Sequence, residues 1–331
     1  MWGWQMARTT VQVADGNYHE LFVHLGRTHL VQEAFAVANH RQLAEDHPIF
    51  VLLKPHFEGT LFINNSAAGS LIAAGGPIDS IFAGTIESTQ HAAVADRLNF
   101  DFYARMVPAE LESRGVGPDS KLVDYPYRDD ALLVWGAIGH WVEQYVGIYY
   151  PAGDSEVQAD TELAAWCTEV RELGLLKGFK PITTRDQLVS VLTMVIWNGS
   201  AQHAAVNFPQ ATYMSYAPAV TGAGWTAAPT SEDDHDKPEW LQMMPPLSLA
   251  AEQLDVLTLL GSVYYRMLGD YQTNEFPYRE WFRDPAVTTN ALPRFQEALK
   301  EVEATIDERN GLRRWEYPYL KPSLIPNSIN I

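Results

Sequence analysis

Cysteine is almost missing from the sequence: Cys167 is the single one in 331 residues. No disulfide can close within the chain, and no thiolate cluster can hold a metal. Basic residues are also scarce, 23 Lys and Arg against 41 Asp and Glu, for a formal net charge of −18. A nucleic-acid backbone is gripped by clustered cations, so no nucleic acid is expected as a partner. Long apolar runs are absent too. The stretches near 131–138 and 188–197 are too short to span a bilayer and are broken by polar residues. The opening Met1-Trp2-Gly3-Trp4-Gln5-Met6-Ala7-Arg8 lacks the basic start and apolar core of a secretory leader, and a cytoplasmic, reducing setting is the expectation. Gly115-Val-Gly117 lacks the third glycine of a dinucleotide turn, and the chain has no nucleophile elbow, no Walker loop and no His-Glu-x-x-His.

Apolar residues make up 47% of the chain and charged ones 19%, enough to bury a large core in one domain, or two at most. The periodicity points to a mostly α fold. Residues 16–38 place Leu21, Phe22, Leu25, Leu30, Val31 and Phe35 at helical spacing. Residues 129–149, opened by Asp129 and Asp130, and 185–207, opened by Thr184 with Asp186 in the first turn, read as further helices. Residues 248–267 and 292–309 read as amphipathic helices. The short runs Ile49–Leu53 and Thr60–Ile63 carry the best strand signals. Residues 215–247, rich in Pro, Gly, Ala and Thr around an acidic run Glu232-Asp233-Asp234, read as a long surface loop.

Three features have the residue types for metal chemistry. His24 and His29 are five residues apart, about 140° around a regular α-helix at 100° per residue. They converge on one ion only if the helix is locally widened into a π-turn; otherwise one is a core histidine and the other a surface one. His203 and Asn207 stand four apart, on one face of an undistorted helix. An imidazole nitrogen and an amide oxygen are both neutral donors, although a buried histidine and a helical asparagine need no metal. Third, the chain ends Ile325-Pro-Asn-Ser-Ile-Asn-Ile331, apolar where tails are usually polar. A terminus tucked inside carries a carboxylate that needs a partner or a metal. Together these form an N/O donor set without sulfur, which suits Fe or Mn with an open position better than Zn.

His47 and His56, each beside a proline, read as structural or supporting residues. His140 reads as a hydrogen-bonded core residue of an apolar helix, and His235 as a solvated residue of the acidic loop. Asn64-Asn-Ser66 and Asn198-Gly-Ser200 match a glycosylation sequon by chance.

The stretch from Tyr18-His-Glu-Leu-Phe-Val-His24-Leu-Gly-Arg-Thr-His29 through Arg41-Gln-Leu43 to His47-Pro-Ile49-Phe-Val-Leu-Leu53-Lys-Pro-His56 resembles the first iron-binding helix of the lipoxygenases and the segment after it. Trp197-Asn-Gly-Ser-Ala-Gln-His203-Ala-Ala-Val-Asn207-Phe-Pro-Gln210 resembles their second iron-binding helix, and the final Ile matches their C-terminus. Asp124-Tyr-Pro-Tyr127-Arg-Asp-Asp130 and Phe295-Gln fit as well, so the resemblance covers nearly the whole chain. It implies a helical catalytic domain around a non-haem iron, with manganese as second choice, over residues 1–331 and without the β-barrel domain. The implied ligands are His24, His29, His203, Asn207 and the Ile331 carboxylate, with Gln210 supporting them. Leu71 and Ile78 would line the substrate pocket, and Ala67 falls where the family sets stereochemistry, usually toward an S product. The implied partners are a polyunsaturated fatty acid and O2, with peripheral contact to a membrane surface. The implied reaction takes a hydrogen atom from the central CH2 of a cis,cis-1,4-pentadiene and adds O2 to give a hydroperoxide. Two departures stand out. Ala68 occupies a position where the family commonly has Arg, and the chain begins almost at the first iron helix. The second departure leaves an inactive relative, or a fragment that needs a missing N-terminal portion or partner chain, as the alternative.

Overall fold

The structure, a computed structural model, describes residues 1–231, 235–262, 265–271 and 281–331; Glu232-Asp233-Asp234 lie outside the described residues. Helices dominate, and among the described residues the extended pairing is an isolated antiparallel bridge between Met267 and Pro326. The two expected strands are helices. Pro48–Leu53 is capped by His47, whose ring accepts from the Ile49 amide. Thr60–Gly69 begins after Gly59, which holds a φ of 78° that only glycine adopts without strain. Ile49, Phe50, Leu52 and Leu53 are all buried. A short run buried on every side has no period that separates strand from helix, and the proline in the first turn decides for the helix.

At the centre lies one long helical rod. Trp2–Tyr18 runs into a π-helical stretch, His19–His29, and continues as Leu30–Gln42. The second central rod is Arg185–Trp197, a π-turn Asn198–Gln202, and His203–Asn207. Its start is fixed by a reciprocal capping box between Thr184 and Gln187. Pro126–Tyr149 packs against this second rod and also against Leu292–Leu312. Its buried stripe, Ala131, Val134, Ile138, Trp141, Val142 and Tyr145, recurs at helical spacing and puts His140 on the opposite face. His140 is accordingly exposed, with its ring beside Gln144 and Glu143, not the core residue its apolar helix suggested.

The core is aromatic. Trp141 stacks on Phe295 at 5.5 Å with an 11° interplanar angle, and Phe35 meets Trp166, Phe102 and Phe179. Such rings dominate burial energy and gain about 0.5–1.5 kcal/mol per pair beyond area alone. Asp130 is fully buried, where it takes a bidentate pair from Arg313 at 2.7 and 2.9 Å and a bond from Arg309 at 3.0 Å. This gives the Asp124–Asp130 stretch a structural reason: it ties the Pro126–Tyr149 helix to the end of Leu292–Leu312.

The loop expected over 215–247 is largely irregular, apart from a short helix Lys237–Gln242 with a capping box from Asp236. His235 is half-buried rather than solvated; its Nδ1 pairs with Glu239 at 3.1 Å and its ring covers Gly3. The helix expected over 248–267 spans Leu247–Leu260. No helix among the described residues is long and apolar enough to cross a membrane.

Candidate metal centre

The two rods cross where their backbones widen. In the His19–His29 stretch, hydrogen bonds reach back five residues, as in Leu30 N to Leu25 O. Residues five apart then fall over one another, which an α-helix would not allow for His24 and His29. Thr28 Oγ1 donates to the His24 carbonyl and helps satisfy the loosened turn. The second rod comes close because Gly199 has no side chain: a Cβ there would sit 2.3 Å from Gln32 Nε2 and 3.1 Å from the His56 carbonyl. Gln32 donates to the Val195 carbonyl at 3.1 Å, and Asn198 donates to Thr28 O and Gln32 Oε1, both at 3.4 Å.

At the crossing three buried imidazoles meet. His24 Nε2 lies 3.2 Å from His29 Nε2 and 3.4 Å from His203 Nε2, and one ligand atom from each of the three falls within 4.8 Å of the others. Burial holds all three rings neutral. It pushes His24 down to about 4, His29 to about 3 with help from neighbouring His24, and His203 well below its ordinary value. His29 Nδ1 donates to Asn64 Oδ1 at 2.9 Å, so its Nε2 presents a lone pair. His24 Nδ1 faces Glu20 Oε2 at 3.0 Å; an ionised Glu20 takes the Nδ1 hydrogen and leaves the His24 Nε2 lone pair pointing inward as well. Lone pairs turned onto one another repel unless a cation or a proton lies between them. The arrangement therefore fits a metal ion held by neutral nitrogen donors.

The other predicted residues surround this point. Asn207 is fully buried one turn after His203; its Nδ2 donates to the Leu260 carbonyl at 2.7 Å, and its Oδ1 accepts from Gln210 at 2.9 Å. Gln210 also reaches His24 Nδ1 at 3.3 Å. Ile331 is buried and lines the same cavity as His24 and His29. That cavity, of about 430 Å3, has Ala67, Leu71 and Ile78 in its wall together with Leu25, Ile63 and Val256, so the three predicted pocket residues share one space with the imidazoles. A volume of this size is in the range of small-molecule pockets. Among the described residues Glu20 is the one acidic side chain in the lining, and burial raises its pKa to about 7. Ala68 is not part of the lining.

The sequence reading missed Glu20, Gln32, Asn64 and Asn198. Glu20 had a signal, four residues before His24 on a helix. Asn64 and Asn198 had none beyond a sequon match, and both are buried. His47 and His56 take no part in the trio. His47 caps a helix and bonds Asp160 at 3.1 Å, and His56 bonds the C-terminal tail.

A family model described as Lipoxygenase matches residues 1–317. The chain is 56% identical over 332 residues to the linoleate 9/13-lipoxygenase of Pseudomonas aeruginosa, covering 100% of this chain and 48% of that one. It is 33% identical to human polyunsaturated fatty acid lipoxygenase ALOX15B, with 100% and 48% covered. Among solved structures, a coral 8R-lipoxygenase superimposes with a TM-score of 0.92 at 30% identity, over 100% of this chain and 50% of that one. A Fusarium graminearum lipoxygenase gives 0.86 at 27% identity, with 57% of its chain covered. The chain thus spans about half the length of the curated relatives it matches.

Proposed function

The chain belongs to the lipoxygenase family, and on that premise we propose that it is a non-haem iron dioxygenase that adds O2 to a cis,cis-1,4-pentadiene of a polyunsaturated fatty acid. The observation that carries this is the trio of buried, neutral imidazoles, two of which, His24 and His29, line an apolar cavity. His24, His29 and His203 would hold the iron, with Asn207 Oδ1 and the Ile331 carboxylate completing an N/O set; manganese is the second choice. Bound iron supplies a one-electron acceptor and a Lewis acid. The chain's own residues do the rest. Asn64 holds the hydrogen at Nδ1 of His29, and Glu20, when ionised, does the same at His24, so that both Nε2 atoms aim inward. Gln210 fixes the Asn207 amide. Leu71, Ile78 and Val256 exclude water and grip the acyl chain. Among the described residues the lining offers no Lys or Arg to pair with a carboxylate, so the apolar end enters and the carboxyl group stays at the mouth. In balance, one C–H hydrogen and one O2 end up in one hydroperoxide, and Ala67 favours the S product.

A second reading comes from length. The chain spans about half of its relatives, and in this reading it is inactive without a second portion of polypeptide. A cavity of about 580 Å3, separate from the substrate pocket, is lined by Val23, Arg27, Gln202 and Val206 of the histidine helices. Oxygen uptake with linoleate by metal-assayed protein, followed by chiral analysis, separates the two readings. The first predicts iron-dependent uptake and an S hydroperoxide, the second neither.

A further inference from the structure

We propose that His56 is a latch for the C-terminal tail, a positioning residue that sets the terminal carboxylate beside the imidazoles while making no metal contact itself. The inference rests on the reading of Ile331 as a donor.

The geometry of His56 is fully committed. Its Nδ1 lies 2.7 Å from the Asn327 carbonyl oxygen. A carbonyl only accepts, so Nδ1 carries the hydrogen. Nε2 is then a lone pair, and it accepts from the Tyr271 hydroxyl at 2.9 Å. His56 and Tyr271 are both completely buried, so water cannot replace either bond. Burial also holds the ring neutral, down to about 4.

Past Asn327 the tail has no regular structure of its own and is held by what surrounds it. Thr60 Oγ1 donates to the Ile329 carbonyl at 3.0 Å, and Ser328 Oγ donates to the Glu58 carbonyl at 2.7 Å. Gly59 lets the tail pass, since a Cβ there would meet Asn330 Cβ at 3.0 Å. From the other side, Asn327 N donates to Arg266 O and Leu268 N to Ile325 O, both at 2.7 Å. The tail therefore runs between residues 56–60 and 266–268. Most of these ties reach its backbone, and among the described residues the buried side-chain amide of Asn330 finds no hydrogen-bond partner. Among the described side chains that hold the tail, only His56 is held from both ring nitrogens. The four residues beyond Asn327 span up to about 14 Å when extended. An unlatched carboxylate would sample that reach instead of one place, and binding to a preformed site gains affinity over binding to a mobile one.

The test uses the full chain supplied with ferrous iron. Release of Ile331 by a carboxypeptidase is followed by mass spectrometry, and iron per chain is measured in parallel. In His56→Leu, release should speed at least tenfold and iron affinity should fall at least tenfold. In His56→Asn, whose amide can still donate to the Asn327 carbonyl, most of both should return. A tail as protected in His56→Leu as in the parent overturns the latch, whatever the iron content. Faster release with unchanged iron supports the latch and removes Ile331 from the metal set, so the two readings fail separately. If the leucine chain does not fold, Tyr271→Phe removes the hydroxyl that holds His56 Nε2; release must then rise over the parent, and an unchanged rate overturns the proposal.

Discussion

His24 and His203 stand 179 residues apart in sequence and bring their Nε2 atoms to 3.4 Å. Their approach depends on two widened helices crossing at Gly199, and it creates a point where nitrogen lone pairs converge in a buried space. A metal there requires the supporting polar residues as much as the ligands. Asn64 is the clearest case: it accepts from His29 Nδ1 at 2.9 Å and donates to the His29 carbonyl at 3.1 Å and to Glu33 at 2.7 Å. Asn64→Leu frees the tautomer of His29, and iron affinity should fall about 10- to 100-fold with the fold intact. Competition with a chelator of known affinity measures this.

The metal-free protein should be acid-sensitive. His24, His29 and His56 sit near 4, 3 and 4, and His203 well below 6.5. The unfolded chain takes up protons below about 6.5, whereas the folded chain resists them. Stability therefore falls as pH drops from 6.5, by up to about 1.4 kcal/mol per pH unit for each histidine. Glu20, raised to about 7 from 4.5, runs the other way between those values and offsets about one of the four. Thermal melts of the apo-protein from pH 8 to pH 4.5 should show the midpoint declining below 6.5; a flat profile would contradict the burial argument.

Filling the cavity should separate substrate binding from metal binding. Ala67→Phe places a ring in the wall beside Leu71 and Ile78. Oxygen uptake with linoleate should fall about 10- to 200-fold, the range set by misfit in an apolar pocket, while iron per chain stays at the parental level.

Asp130 tests the fold independently of the site. It is fully buried between Arg309 and Arg313. Asp130→Ala leaves a largely buried Arg313 guanidinium without its carboxylate, and denaturant unfolding should show a loss of about 3 kcal/mol or more.

The helices were legible in the sequence wherever periodicity was long: the Pro126–Tyr149 and Leu292–Leu312 helices follow from their apolar spacing. The short runs at 49–53 and 60–63 were not: the first is apolar and almost wholly buried, and the second is too short, with Leu61 and Phe62 exposed, to show a period. The five-residue spacing of His24 and His29 stated the condition for convergence, a widened helix, and the backbone meets it. The apolar ending of the chain likewise announced a buried tail, and Ile331 is buried. What holds that tail and those rings was hidden. Gln32, Asn64 and Asn198 are unremarkable polar residues in sequence, and their partners lie 24 to 170 residues away. His140 and His235 were misplaced for the opposite reason: helix phase and a packing partner, rather than local composition, decide their exposure.

The central claim is that the crossing of the two rods holds one iron. Iron per chain, measured by elemental analysis after reconstitution with ferrous iron and desalting, tests it most directly. One iron is expected in the parent protein and none in a folded His203→Ala variant. Equal iron in the two would contradict the claim.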